Sequence, residues 1–71
     1  MKIGDIVFKN KNKREGMIVW KKNNENIGVS FEHYHLSLFQ KPTLSNKDRA
    51  EYLRHFGCDE IFEKSELTLK P

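Results

Sequence analysis

Gly28-Val29-Ser30-Phe31-Glu32, read together with Gly16-Met17-Ile18-Val19-Trp20 upstream of it, decides the fold class. Ile27, Val29 and Phe31 alternate with Gly28, Ser30 and Glu32, which is the period-two pattern of a strand that buries one face. The upstream run is β-branched and aromatic. Between them lies Lys21-Lys22-Asn23-Asn24-Glu25-Asn26, polar and rich in Asn, a composition that suits a turn. The first half of the chain therefore reads as an antiparallel β-meander.

Outward from that pair, Ile3 to Phe8 reads as the first strand, with Gly4 and Asp5 marking a bend near its start. A polar loop, Lys9 to Glu15, joins it to a strand from Met17 to Lys21, and a third strand runs from Ile27 to Glu32. His33 to Phe39 continues the alternation, with Tyr34, Leu36 and Leu38 on one face, and is expected to be a fourth strand that Pro42 stops. A helix is expected over residues 45–56. Ser45 with Asp48 three residues on resembles a capping box, Ala50, Leu53 and Phe56 form one stripe, and Gly57 suits the C-terminal cap. Lys47, Asp48, Glu51 and Arg54 then face outward, with Lys47 and Glu51 spaced as an opposite-charge pair. Cys58 to Phe62 returns toward the sheet, and Glu66 to Leu69 closes it with Leu67 and Leu69 inward. The expected core is Ile6, Phe8, Ile18, Val29, Phe31, Leu36, Leu53, Phe56, Leu67 and Leu69.

The 71 residues make one domain, and a chain this short buries only about 60% of its unfolded surface. Its mixed charges argue against disorder, and its short apolar runs argue against a membrane partner. No charged-then-apolar leader is visible, and a single cysteine, Cys58, excludes an internal disulfide. Both point to a cytoplasmic setting. The Lys- and Asn-rich composition suits an AT-rich bacterial or phage genome. The net charge of +3 is unevenly spread: residues 1–22 carry +5 and the remainder −2. Such polarity steers an anionic partner to one end.

Gly4-Asp5-Ile6-Val7, Gly16-Met17-Ile18-Val19, Gly28-Val29-Ser30-Phe31 and Ser65-Glu66-Leu67-Thr68-Leu69 together resemble small SH3-like barrels, most closely the KOW and Tudor-like branch. The resemblance covers most of residues 3–39 and 61–69 and makes the helix an insertion. It implies a mostly-β, SH3-like barrel of about five strands with one helix before the last strand. It also implies a binding module, for nucleic acid or for a protein segment; fold alone does not choose. The chain departs from the pattern in its first loop, which lacks the Gly often found there in KOW-type domains. The Gly-Lys-Asn-Asp-Gly signature of CAP-Gly domains is absent, so peptide-end recognition is not implied.

Two sets of residues carry the candidate chemistry. Lys9, Lys11, Lys13 and Arg14 on the first loop, with Lys21 and Lys22 on the next turn, are suited to phosphates, and Trp20 to stacking an unpaired base. A nucleic acid or nucleoprotein complex is the expected partner. The alternative is a protein-interaction module, an adaptor or inhibitor, using Tyr34, Phe39 and Tyr52 as anchors on a larger protein. An aromatic cage built from Trp20, Phe31, Tyr34 and Phe39 is less favoured than core packing of these rings. His33, His35, His55 and Cys58 do not follow regular zinc-ligand spacing, so no metal or other cofactor is expected. Cys58 reads as a small buried residue, and the carboxylates Asp59, Glu60, Glu63 and Glu66 as a cluster without a pocket. No enzymatic activity is expected.

Overall fold

The computed structural model describes all of residues 1–71. β1 (Ile6–Lys9) and β2 (Arg14–Asn23) form a hairpin in which Lys9 pairs with Arg14 and Ile6 with Met17. Its loop closes when the Lys13 N–H donates to the Lys9 carbonyl at 2.7 Å, and Lys13 takes a left-handed φ of 61° to do so. β3 (Asn26–Ser30) pairs with the distal half of β2, from Met17↔Ser30 to Asn23↔Asn26. β4 (Glu60–Phe62) adds to β3, and β5 (Leu67–Leu69) adds to β1 after a 3-10 turn at Lys64–Glu66. The result is a five-stranded antiparallel sheet in the order β4-β3-β2-β1-β5.

The sheet curls strongly. β2 and β3 lie between β1 and β4, yet Lys9 Nζ on β1 meets Glu60 Oε1 on β4 at 3.0 Å and stands 5.5 Å over the Phe62 ring. Inside the curl lie Val7, Ile18, Ile27, Val29, Phe31, Phe62 and Leu67. Gly16 is required there: a Cβ on it would fall 2.7 Å from Val29 Cγ1 and 2.8 Å from the carbonyl of Ser30. The outer face carries a second cluster, Met17, Val19, Tyr34, Ala50 and Leu53. β2 is thus covered on both faces, so Met17, Ile18 and Val19 are all buried in succession.

α1 (Glu32–Gln40) and α2 (Asn46–Arg54) connect β3 to β4 and cover that outer face. α2 begins as its sequence indicates, with Ser45 Oγ accepting from the Asp48 N–H at 3.1 Å, and Gly57 takes a left-handed φ of 76° shortly beyond its end. α1 is anchored differently. Its N-cap position is Phe31, which has no capping side chain, and Asp59 instead reaches in from the approach to β4. Asp59 Oδ2 accepts from the N–H groups of Phe31 (2.6 Å) and Glu32 (3.2 Å). At the other end the buried Arg49 of α2 donates to Ser37 O (2.7 Å), Ser37 Oγ (3.0 Å) and Leu44 O (3.2 Å). An anion at the N-terminus and a cation near the C-terminus both favour the helix.

The structure corrects several expectations. His33 to Phe39 is helix, not a fourth strand, so two helices stand where one was expected, and the additional strand is Glu60–Phe62. The first strand begins at Ile6, because Gly4 takes a φ of 96° and breaks extended backbone there. Val7, not its neighbours Ile6 and Phe8, faces into the curl, since adjacent strand residues point to opposite sides. Leu36 is exposed because the helical turn directs Tyr34 and Ser37 inward. Phe56 lies past the end of α2 and is half-exposed, stacked on His33 at 4.5 Å. Leu69 is also exposed, near the chain end. Ile18, Val29, Phe31, Leu53 and Leu67 are buried as expected. No helix is long and apolar enough to cross a membrane.

Candidate nucleic-acid interface

Two of the four basic residues of the first hairpin are engaged by the fold. Lys9 is paired with Glu60, and the Arg14 guanidinium lies 4.8 Å over the buried Phe31 ring. Lys11 and Lys13 are exposed, and the protein's two ion pairs, Lys9–Glu60 and Lys70–Glu15, leave them without a carboxylate. Lys21 and Lys22 belong to the opposite end of β2. Lys21 Nζ donates to the Met1 carbonyl at 2.7 Å, which ties the N-terminal segment to the sheet, while Lys22 is exposed. Lys11, Lys13 and Lys22 are therefore the free cations of the expected set.

Trp20 has a different setting. The register between β2 and β3 shifts between Ile18 and Trp20, so that Val19 is an extra residue in β2 and Trp20 pairs with Gly28. Gly28 leaves no room for a side chain, since a Cβ there would sit 2.9 Å from Cys58 Sγ and 3.1 Å from Trp20 Cβ. Trp20 and Cys58 consequently close over the strand. Trp20 remains 41% exposed and borders a groove of about 360 Å³ with Val19, Arg54, Gly57, Cys58 and Ile61. Arg54 ends α2 and forms the cationic wall of this groove. On its other side it borders a second hollow with Lys2, Ile3, Lys47 and Glu51. Arg54 thus lines both hollows, with Trp20 at one and Lys2, Lys47 and the acid Glu51 at the other.

Lys2, Lys47 and Arg54 were not expected in the site. Lys47 and Arg54 are seven residues apart, about two helical turns, and so share one side of α2. That spacing was the available signal. Their proximity to Trp20 depends on how α2 packs on β2, which no local pattern encodes.

The anchors of the alternative reading divide. Tyr34 is buried, and its hydroxyl donates to Glu15 Oε2 at 2.7 Å. Burial, then that hydrogen bond, pushes its pKa well above the ordinary tyrosine value. Hydrogen bonds from Lys70 and Tyr34 hold the Glu15 carboxyl below the usual carboxylate range. Tyr52 is half-buried, edge-on to Phe56 and beneath the Lys41 ammonium. Phe39 is 84% exposed. The histidines are dispersed: His33 stacks on Phe56, and His35 Nε2 lies 2.8 Å from the Glu15 carbonyl. The fold gathers no set of three His, Cys, Asp or Glu side chains able to hold a metal.

No family model matches the chain, and no curated protein or solved structure is significantly similar to it.

Proposed function

We propose that this protein is a non-enzymatic module that binds single-stranded nucleic acid on the face built from Trp20, Arg54, Lys47 and Lys2. The observation that carries this reading is the groove that sets an exposed indole beside the Arg54 guanidinium, with Lys2 and Lys47 in a second hollow that Arg54 also lines. A base has a π-face that stacks on an indole, and Lys and Arg neutralise the phosphates on either side. An unpaired strand suits this arrangement better than a duplex, whose bases are stacked on one another. We also propose that the curled sheet is an SH3-like barrel. The opening strand that follows Gly4-Asp5 pairs directly with the Leu67-Thr68-Leu69 closing strand, and the Lys9–Glu60 contact draws β1 toward β4.

The test is fluorescence anisotropy of labelled single-stranded RNA, single-stranded DNA and duplex DNA at low and near-physiological salt. Single strands should bind in preference to duplex, and affinity should fall with salt. Trp20→Ala should weaken binding by about 5- to 150-fold, corresponding to ~1–3 kcal/mol per stacked base. Arg54→Glu with Lys47→Glu should weaken it further and flatten the salt dependence. Lys11→Glu with Lys13→Glu, on the first loop, should have the smaller effect. Absence of binding, or binding indifferent to Trp20→Ala and Arg54→Glu, refutes the reading.

One observation favours a second reading, a protein-interaction module: the exposure of Phe39 on α1.

A further inference from the structure

Trp20, Gly28 and Ile61 form one row across three strands, since Trp20 pairs with Gly28 and Gly28 with Ile61. Gly28 and Ile61 face the outer side of the sheet, because their neighbours Ile27, Val29 and Phe62 face into the curl. With no side chain at the middle position, the row is a slot. Its walls are Trp20 and Ile61, and its floor is Cys58, whose Sγ lies 2.9 Å from where a Gly28 Cβ would stand. The walls are two strand spacings apart, about 10 Å at the backbone. A flat ring in contact with a group on each side takes up about 7–8 Å. Both walls reach solvent, Trp20 at 41% and Ile61 at 55% exposure.

The polar side-chain groups around this slot are all donors: the Arg54 guanidinium, the Trp20 indole N–H and the Cys58 thiol. No carboxylate or side-chain amide lines it. Arg54 takes part in neither of the protein's ion pairs, so its planar fork is free. Such a lining suits a base edge with two adjacent acceptors. Guanine presents O6 and N7 side by side, on a two-ring base that matches the indole in area. Adenine sets an amino donor beside N7, and uracil separates its two carbonyls with an N–H. Cytosine has adjacent acceptors too, but on a single ring with less area to stack. We infer that the groove holds one guanine of a single strand, stacked on Trp20 and against Ile61, with its O6/N7 edge on the Arg54 guanidinium. This rests on the single-strand reading above and adds base choice to it. Arg54 reads the base, and Lys2 and Lys47 in the adjoining hollow take the phosphates.

Fluorescence anisotropy with four labelled RNA heptamers tests this. One is all uridine, and the others carry guanosine, adenosine or cytidine at the centre. A single guanine per strand avoids quadruplexes. The guanine strand should bind about fivefold or more tighter than each of the others. Arg54→Lys should bring it to within about twofold of the adenine strand, because an ammonium lacks the fork. Guanosine monophosphate alone should bind about tenfold or more weaker than the guanine heptamer, since it lacks the flanking phosphates. Equal binding of all four heptamers that Trp20→Ala still weakens overturns the guanine assignment and leaves the single-strand reading standing. A preference for another base, a guanine preference that Arg54→Lys leaves intact, or guanosine monophosphate as tight as the heptamer does the same. Failure of every heptamer to bind overturns both.

Discussion

Replacing Asp59 with Ala should unfold α1 first and carry much of the domain's stability with it. The carboxylate accepts two backbone N–H groups at the start of the helix, at 2.6 and 3.2 Å. Phe31 is fully buried, so its N–H has no solvent to turn to once the carboxylate is gone. A lost helix cap costs about 0.5–2 kcal/mol, and a buried orphaned donor about 1–3 kcal/mol. These overlap, since one of the two donors is counted in both, and about 2–3 kcal/mol is the expected loss. A chain of 71 residues has a total stability of about 4–11 kcal/mol, so the loss is a large share of it. At about 4–8 °C per kcal/mol for a domain of this size, Tm should fall by about 10–20 °C. Urea unfolding followed by circular dichroism at the helical band measures it. Asp59→Asn keeps an oxygen acceptor without the charge and should lose about half as much. A loss below about 0.5 kcal/mol for Asp59→Ala would refute the argument that α1 depends on a cap from outside itself.

Gly16→Ala should cost about 1–3 kcal/mol, because its new methyl has to displace Val29, Phe31 or the Ser30 carbonyl; the shift in urea midpoint checks this. Arg49→Lys keeps the charge but loses the planar fork that spans Ser37 and Leu44, and should cost about 1–3 kcal/mol in the same assay. Stability should also depend on pH at both extremes. The Glu15 pKa is lowered in the fold, so its contribution is present above the ordinary 4.5 and is lost as pH falls through the folded value. Glu15→Gln should flatten that acid limb in thermal melts. The Tyr34 pKa is raised from 10.0, so its contribution is present below that value and is lost as pH rises above it. Tyr34→Phe should remove that alkaline dependence.

Much of the sheet was legible because its signals are local. The meander from Ile6 to Ser30 follows from alternation and from polar turns, and α2 follows from Ser45, Asp48 and Gly57, whose roles are played within a few residues of one another. The closing strand was legible in Leu67-Thr68-Leu69 for the same reason. Parity within the first strand was not: Val7 lies between two apolar neighbours, so composition did not say which of the three faces inward.

Local signals carry the β-rich class, the first hairpins and one capped helix, because propensity, period and turn chemistry act over a handful of residues. α1 depends instead on distant contacts. His33-Tyr34-His35-Leu36-Ser37-Leu38-Phe39 alternates as a strand would, and nothing just before it caps a helix; Asp59 and Arg49 supply that from 27 and 12 residues away. The candidate interface divides the same way. Trp20 was apparent as an aromatic beside lysines, but Arg54, Lys47 and Lys2 join it only once α2 is laid across β2. Lys9, Arg14 and Lys21 looked free in the chain and are held in the fold by Glu60, Phe31 and Met1. A charge is visible in a sequence, but whether it is already matched depends on which distant residue the fold brings within about 4 Å of it.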